Sequence, residues 1–414
     1  MKLALAALIG ATCLVAPAMA QERADLPPPE VVAEALDTHP SVEAAGADVS
    51  AARADARMLA SGPHEVTLVG SYIRRTVKNE GGFDEFDGTL QRGLRLPGKA
   101  RLDREAGLLG IEEAQNNHED ARHQASLVLM QGWHDLLLAG AKVRTDRAEL
   151  ANYDSLVRAV ARREQLRDAA RLDVDQARSE RALAQARLAQ SEAALAEARA
   201  RLGALFPGLP LPAEVPEPVS PELPQAGVDT LHDLVLSRSH EIRAAESKAA
   251  RYGVLGERAM KDRMADPTLG FRLFSERGGN ERGAGVVFSL PFGGGYRSAA
   301  ADKASAAASR AQLELAMVRR DITATADADA SNARTLFAAW QASRDALASA
   351  TSAAQLSRKG YDAGVTDLAD LLAVERQAIA ARRAEVDARV SALRAIMKLR
   401  VDSHDLWAPL HDED

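Results

Sequence analysis

The chain is nearly without cysteine. Its one thiol, Cys13, lies in an apolar N-terminal stretch. The remainder therefore cannot hold disulfides, thiol catalysis or thiolate metal sites. Long apolar runs are also missing. Beyond the N-terminal stretch nothing reaches the roughly 18 apolar residues of a membrane-crossing helix. No block of Lys or Arg stands apart from acids, and the formal net charge is −7. Nucleic acid is thus not an expected partner. Proline is absent from residue 98 to 206 and again from 292 to 408. Nothing in either stretch interrupts a helix by removing a backbone donor.

What is present begins with a leader. Lys2 precedes the apolar run Leu3 to Val15, and Ala18-Met19-Ala20 forms a small-x-small site before Gln21. Residues 1–20 are read as a secretory signal peptide, with Ala18 and Ala20 forming the cleavage site before Gln21. Gly10-Ala11-Thr12 before Cys13 make a poor lipid-attachment signal, so Cys13 is expected to leave with the leader.

The proline-free stretches are rich in Ala, Leu, Arg, Glu and Gln, which favour helix. Between them Pro207 to Pro224 holds seven prolines and reads as an extended linker. Six of the eight phenylalanines fall at 83, 86, 271, 274, 288 and 292. They mark two windows with period-two alternation: Leu269, Phe271 and Leu273 share one face, and Val286, Phe288 and Leu290 another. Strands are expected at about 65–75, 86–96, 268–275 and 283–291, paired as hairpins across Gly81-Gly82 and Gly278-Gly279.

Each hairpin leads into a long helical stretch through a similar turn. Pro97-Gly98 forms the first, and Pro291-Phe292-Gly293 the second. The long helices are expected over 98–205 and 297–403. The order helix, strand, strand, long helix, helix occurs twice, offset by roughly 195 residues. The repeats are assigned to 21–206 and 225–403, followed by a tail at 404–414. Leu188, Leu195 and Leu202, and then Leu372, Ile379, Val386 and Leu393, recur at sevens, which implies supercoiled packing. The predicted fold is mainly α with a short β part. Four strands cannot close a barrel, and open edges cannot face lipid. Strands that enter a membrane must therefore come from several copies.

Tandem strand–strand–long-helix units, the Leu96-Pro97-Gly98-Lys99 turn, and Tyr361-x-x-Gly364 with Asp370-Leu371 resemble the TolC family of outer-membrane efflux proteins. The turn and the compact length are most similar to its CzcC-like heavy-metal branch. The resemblance covers nearly the whole mature chain. It implies a homotrimer in which each copy gives four strands to one shared β-barrel in the outer membrane of a Gram-negative bacterium. The helices continue the barrel as a periplasmic α-barrel. It implies as partners outer-membrane lipid, a periplasmic adaptor (membrane fusion) protein and an inner-membrane pump of the RND type. The cargo would be heavy-metal cations. One rival is the same fold in a type I protein secretion system. Another is a structural periplasmic coiled-coil protein without a barrel.

No residue pattern points to catalysis, a cofactor or a resident metal. His118 and His123 do not share a helical face, and the acidic and histidine-bearing tail from His404 reads as solvated. By resemblance the helix-to-helix turns are the periplasmic tips. Tyr361, Gly364, Asp367 and Asp370 form one, and Asp168, Arg171 and Asp173 the other. Threefold symmetry would turn an inward aspartate into a cation-favouring ring. Equally, these acids suit the first turn of the following helix. Tyr361 fits either a bond that holds the tip closed or ordinary coiled-coil packing. Gly364 suits the tight turn, and Arg167 at the matching place makes the tips unequal. Lys99 and Arg101 read either as anchors at the membrane surface or as solvated charges.

Overall fold

The computed structural model describes residues 25–407. The cleavage residues Ala18 and Ala20, and the tail beyond Trp407, lie outside them. Helices α1 (Pro29–Asp37) and α2 (Pro40–Ser61) precede strands β1 (Val66–Val77) and β2 (Gly81–Gly93). The long α3 (Lys99–Gln165) and α4 (Arg171–Leu205) follow. The second round has α5 (Val228–Arg238), α6 (His240–Lys261), β3 (Thr268–Glu276), β4 (Glu281–Ser289), α7 (Gly295–Asp362) and α8 (Leu368–Asp402).

The 67 residues of α3 and 68 of α7 give each helix a length of about 100 Å at ~1.5 Å per residue. Neither is sustained by one continuous apolar face. Three separate cores hold them. Leu129, Trp133 and Leu136 of α3 pack against Val32 and Leu36 of α1 and against Phe206 and Leu209. Ala326, Ala330 and Ala333 of α7 meet Leu231 and Val235 of α5 and Ile396 and Leu399 of α8. The third core lies at the far tip. The proline-rich segment has no helix or strand and runs along the long helices, where Arg144 donates to Val215 O at 2.7 Å and Arg389 to Pro218 O at 3.3 Å.

The strands form one antiparallel meander, β1-β2-β3-β4. The first hairpin corrects the sequence reading of its inner strand. β2 starts at Gly81, five residues before the expected 86, and stops at Gly93. Gly81 and Gly82 read as a turn but pair with Val77 and Thr76. The turn is Lys78-Asn79-Glu80, with Asn79 left-handed at φ 77°. Cross-strand polar pairs hold the extension: Arg75 with Glu85 at 2.7 Å, and Tyr72 donating to Asp84 at 2.7 Å. At the other end Arg95 turns out of the sheet and donates to Leu59 O and Ala60 O. β4 likewise starts earlier than expected, at Glu281.

Candidate channel elements

The sheet has two unlike faces, because alternate residues of a strand point to opposite sides. The pairing register aligns Leu68, Leu90, Phe271 and Val286 across all four strands on one face. Leu269 and Phe288 sit beside them, and Tyr72 and Phe86 complete the far end, with ring centres 5.2 Å apart. These side chains are exposed, Leu68 by 74%. The opposite face is more polar: it carries Thr67, Gln91, Thr89 and Ser71, with Arg272 paired to Asp87 and Arg75 to Glu85, although Val69 and Ile73 of β1 also lie on it. An exposed apolar face this continuous demands cover by lipid or protein. Both outer strands, β1 and β4, are unpaired along their free edges among the described residues.

A buried ion cluster fixes the sheet to the helices. Lys99, the first residue of α3, is 1% exposed. Its ammonium donates to Asp266 at 2.8 Å, Asp262 at 2.9 Å and Met264 O at 2.8 Å. Neither sequence reading of Lys99 holds: it faces neither solvent nor membrane, because three acceptors of the second repeat enclose it. Arg101 does stay at the surface, paired with Glu105. Asp266 also accepts from Leu96 N at 3.0 Å and contacts His64 at 2.8 Å. Burial alone would raise its carboxyl, but Lys99, Leu96 and His64 overcome that and hold it down at about 2. Pro97-Gly98 makes the turn, with Gly98 left-handed at φ 86°. A Cβ on Gly98 would also lie 3.1 Å from Lys261 Nζ. Pro291 and Gly293 form the matching turn, and a Cβ on Gly293 would fall 2.9 Å from Arg263 O.

The two tips share one backbone solution. After α7, Gly364 is left-handed at φ 71°, and Val365 N reaches back to Gly360 O at 2.8 Å. After α3, Arg167 takes the same conformation at φ 63°, and Asp168 N reaches Arg163 O at 2.8 Å. The Arg–Gly difference therefore does not change the turn, although a side chain there costs about 1 kcal/mol relative to glycine.

Three of the four tip acids are already engaged. Asp367 caps α8 by accepting from Asp370 N at 2.8 Å. Asp173 accepts from Ala170 N at 3.0 Å, and Asp168 pairs with Arg163 at 2.9 Å. The Asp370 carboxylate is exposed and has no bonding partner among the described residues. Arg171 is exposed at the start of α4. Tyr361 is 7% exposed, packed with Tyr153, Val160, Val174 and Leu371 of three other helices. The Arg163 guanidinium lies 4.9 Å from its ring centre. Burial pushes its phenol above the ordinary value, against the opposing pull of Arg163. Tyr361 thus belongs to the packed core and also joins the tips of the two repeats.

Residues 231–401 match the model of the family described as outer membrane efflux protein. The second half of this chain is an outer membrane efflux protein domain. The first half repeats the same order of elements and shares its sheet. Among curated proteins no sequence matches the chain. Solved structures do. The outer membrane protein VceC of Vibrio cholerae has a TM-score of 0.76 at 20% identity, over 90% of this chain and 95% of that one. CusC has 0.73 at 19%, over 90% and 91%. A membrane protein of Pseudomonas aeruginosa has 0.75 at 19%, over 90% and 92%. At such identities the likeness is one of fold, and it spans both repeats.

Sequence reasoning did not foresee the charged rungs that tie the repeats together. Arg376 pairs with Glu180 at 2.8 Å and Arg383 with Asp146 at 2.5 Å across the repeats, while Arg358 with Glu375 and Arg187 with Glu149 brace the helix pair inside each repeat. The seven-residue spacing of Arg376 and Arg383 on α8 was an available signal.

Proposed function

We propose that this chain is one subunit of a homotrimeric outer-membrane channel, a passive conduit from the periplasm to the exterior. One observation carries the reading: a four-stranded sheet with an apolar face, a more polar face and two open edges, mounted on helices of about 100 Å. Lipid contact requires every strand edge to be paired, and a shared barrel meets that need without further strands. The apolar face then meets lipid, and Arg272, Asp87 and Glu85 line the water-filled side. The helices extend the conduit into the periplasm, where their tips meet an adaptor and an inner-membrane pump of the RND type.

Cations are the favoured cargo, heavy-metal ions among them, because Asp370, unlike Asp168, Asp173 and Asp367, keeps its carboxylate uncommitted. Repeated by symmetry, it sets a negative ring at the narrow end. The test is reconstitution of the purified protein in planar bilayers, with fractionation of cells that express it. Discrete ionic conductance and recovery with outer membranes are expected. A protein found wholly in the soluble periplasm, or one that never conducts, rules the channel out. For cargo, deletion of the gene should sensitise cells to divalent heavy metals. Unchanged tolerance would remove that assignment and leave the conduit standing.

A further inference from the structure

At the foot of the sheet a cleft of about 950 Å³ opens between the end of α6, the approach to β3 and the turn after β4. Its walls are Met260, Met264, Pro267, Phe288, Leu290 and Phe292. Phe292 is 91% exposed, which is costly for a ring facing water. Phe288 also belongs to the apolar face of the sheet, so the cleft continues the surface assigned to lipid. Its rim is cationic. Lys261 has no ion partner among the described residues, and Arg263 reaches Asp302 at 3.1 Å. The intervening carboxylate, Asp262, gives one oxygen to Lys99 and the other to Arg258. The carboxylates beside the rim are thus engaged, Asp262 by Lys99 and Arg258 and Asp302 by Arg263.

We infer that this cleft binds an anionic phospholipid, with an acyl chain against Phe288 and Phe292 and the phosphate on Lys261 and Arg263. The inference rests on the channel reading, which puts this level of the molecule at the periplasmic surface of the membrane. Two features select lipid over a soluble anion: the apolar walls and their continuity with the outer face of the sheet. The rim selects an anionic headgroup over a zwitterionic one, because Lys261 has no acid paired to it among the described residues and Asp302 is already bound to the Arg263 guanidinium.

The full-length channel, stripped of lipid in detergent, is titrated with phosphatidylglycerol, phosphatidylethanolamine or inorganic phosphate and read by native mass spectrometry. Phosphatidylglycerol should be retained about fivefold more tightly than phosphatidylethanolamine for each rim cation engaged. Inorganic phosphate alone should not be retained. The Lys261→Gln/Arg263→Gln variant should lose the preference, and Lys261→Arg/Arg263→Lys should keep it. Phe292→Ser should weaken both lipids alike. Equal retention of the two lipids, or an unchanged preference in the double Gln variant, overturns the proposal. So does retention of no lipid together with a less stable trimer in that variant, which would give the cleft to a neighbouring copy. Conductance of the same wild-type preparation separates the two failures. If it conducts without binding lipid, only the lipid site falls.

Discussion

Asp370 and Asp367 stand three residues apart and have different tasks. The Asp367 carboxylate is spent on the backbone N–H of Asp370, so Asp367→Ala should destabilise the start of α8 by about 1 kcal/mol. Hydrogen exchange at residues 368–371 would register that as faster opening of the first turn. Asp370→Ala leaves the cap intact and should instead weaken cation preference in bilayer recordings. Unaltered selectivity would reduce Asp370 to a favourable charge at a helix start. The left-handed turns give an opposite pair. Arg167→Gly should stabilise its tip and Gly364→Ala should destabilise the other, each by about 1 kcal/mol. Gly364 has open space around it, so that cost would be purely conformational.

Among elements, the junction between sheet and helices is fixed by a buried ion cluster. The Asp266 carboxyl falls from its ordinary 3.8 to about 2 in the folded chain. A depressed acid contributes stability that is complete above its unfolded value and is lost as pH falls through the folded one. Asp266→Asn should therefore cost about 2 kcal/mol at neutral pH. The gap from wild type should close between about pH 4 and pH 2 in urea unfolding followed by circular dichroism. This junction was only partly legible in the sequence. Pro97-Gly98 announced a turn, because proline and glycine restrict and permit backbone angles locally. The burial of Lys99 did not announce itself, since its acceptors lie far along the chain in the second repeat. The same limit misjudged β2. Gly81-Gly82 carries a turn signal, and only pairing with β1 shows that both residues lie inside the strand. The alternation of β3 and β4, the missing prolines and the doubled order of elements were readable, because each is a periodicity within one segment. The ion pairs of Arg376 and Arg383 join residues of different repeats, and no local pattern names their partners.

For the whole molecule, the decisive property is that the sheet has two edges. If three copies share a barrel, β1 of one copy lies beside β4 of the next. Single cysteines introduced at successive exposed positions of β1 and β4 should form disulfides only between copies. A ladder ending at trimer mass is expected on denaturing gels. Cross-links confined within one chain would mean that the sheet closes on itself or remains open. The register that cross-links best would also give the stagger of the barrel, which one protomer alone does not define.

The Lys99 cluster has a consequence for the order of manufacture. Lys99 and Asp266 are 167 residues apart in the chain. A chain exported from its N-terminus presents the first hairpin and the lysine well before any of the carboxylates that neutralise it. Contacts of such long range form late, because loop closure must precede them. Until then the first half carries an unpaired ammonium at the root of its two strands. The arrival of the second half both completes the sheet and removes that charge.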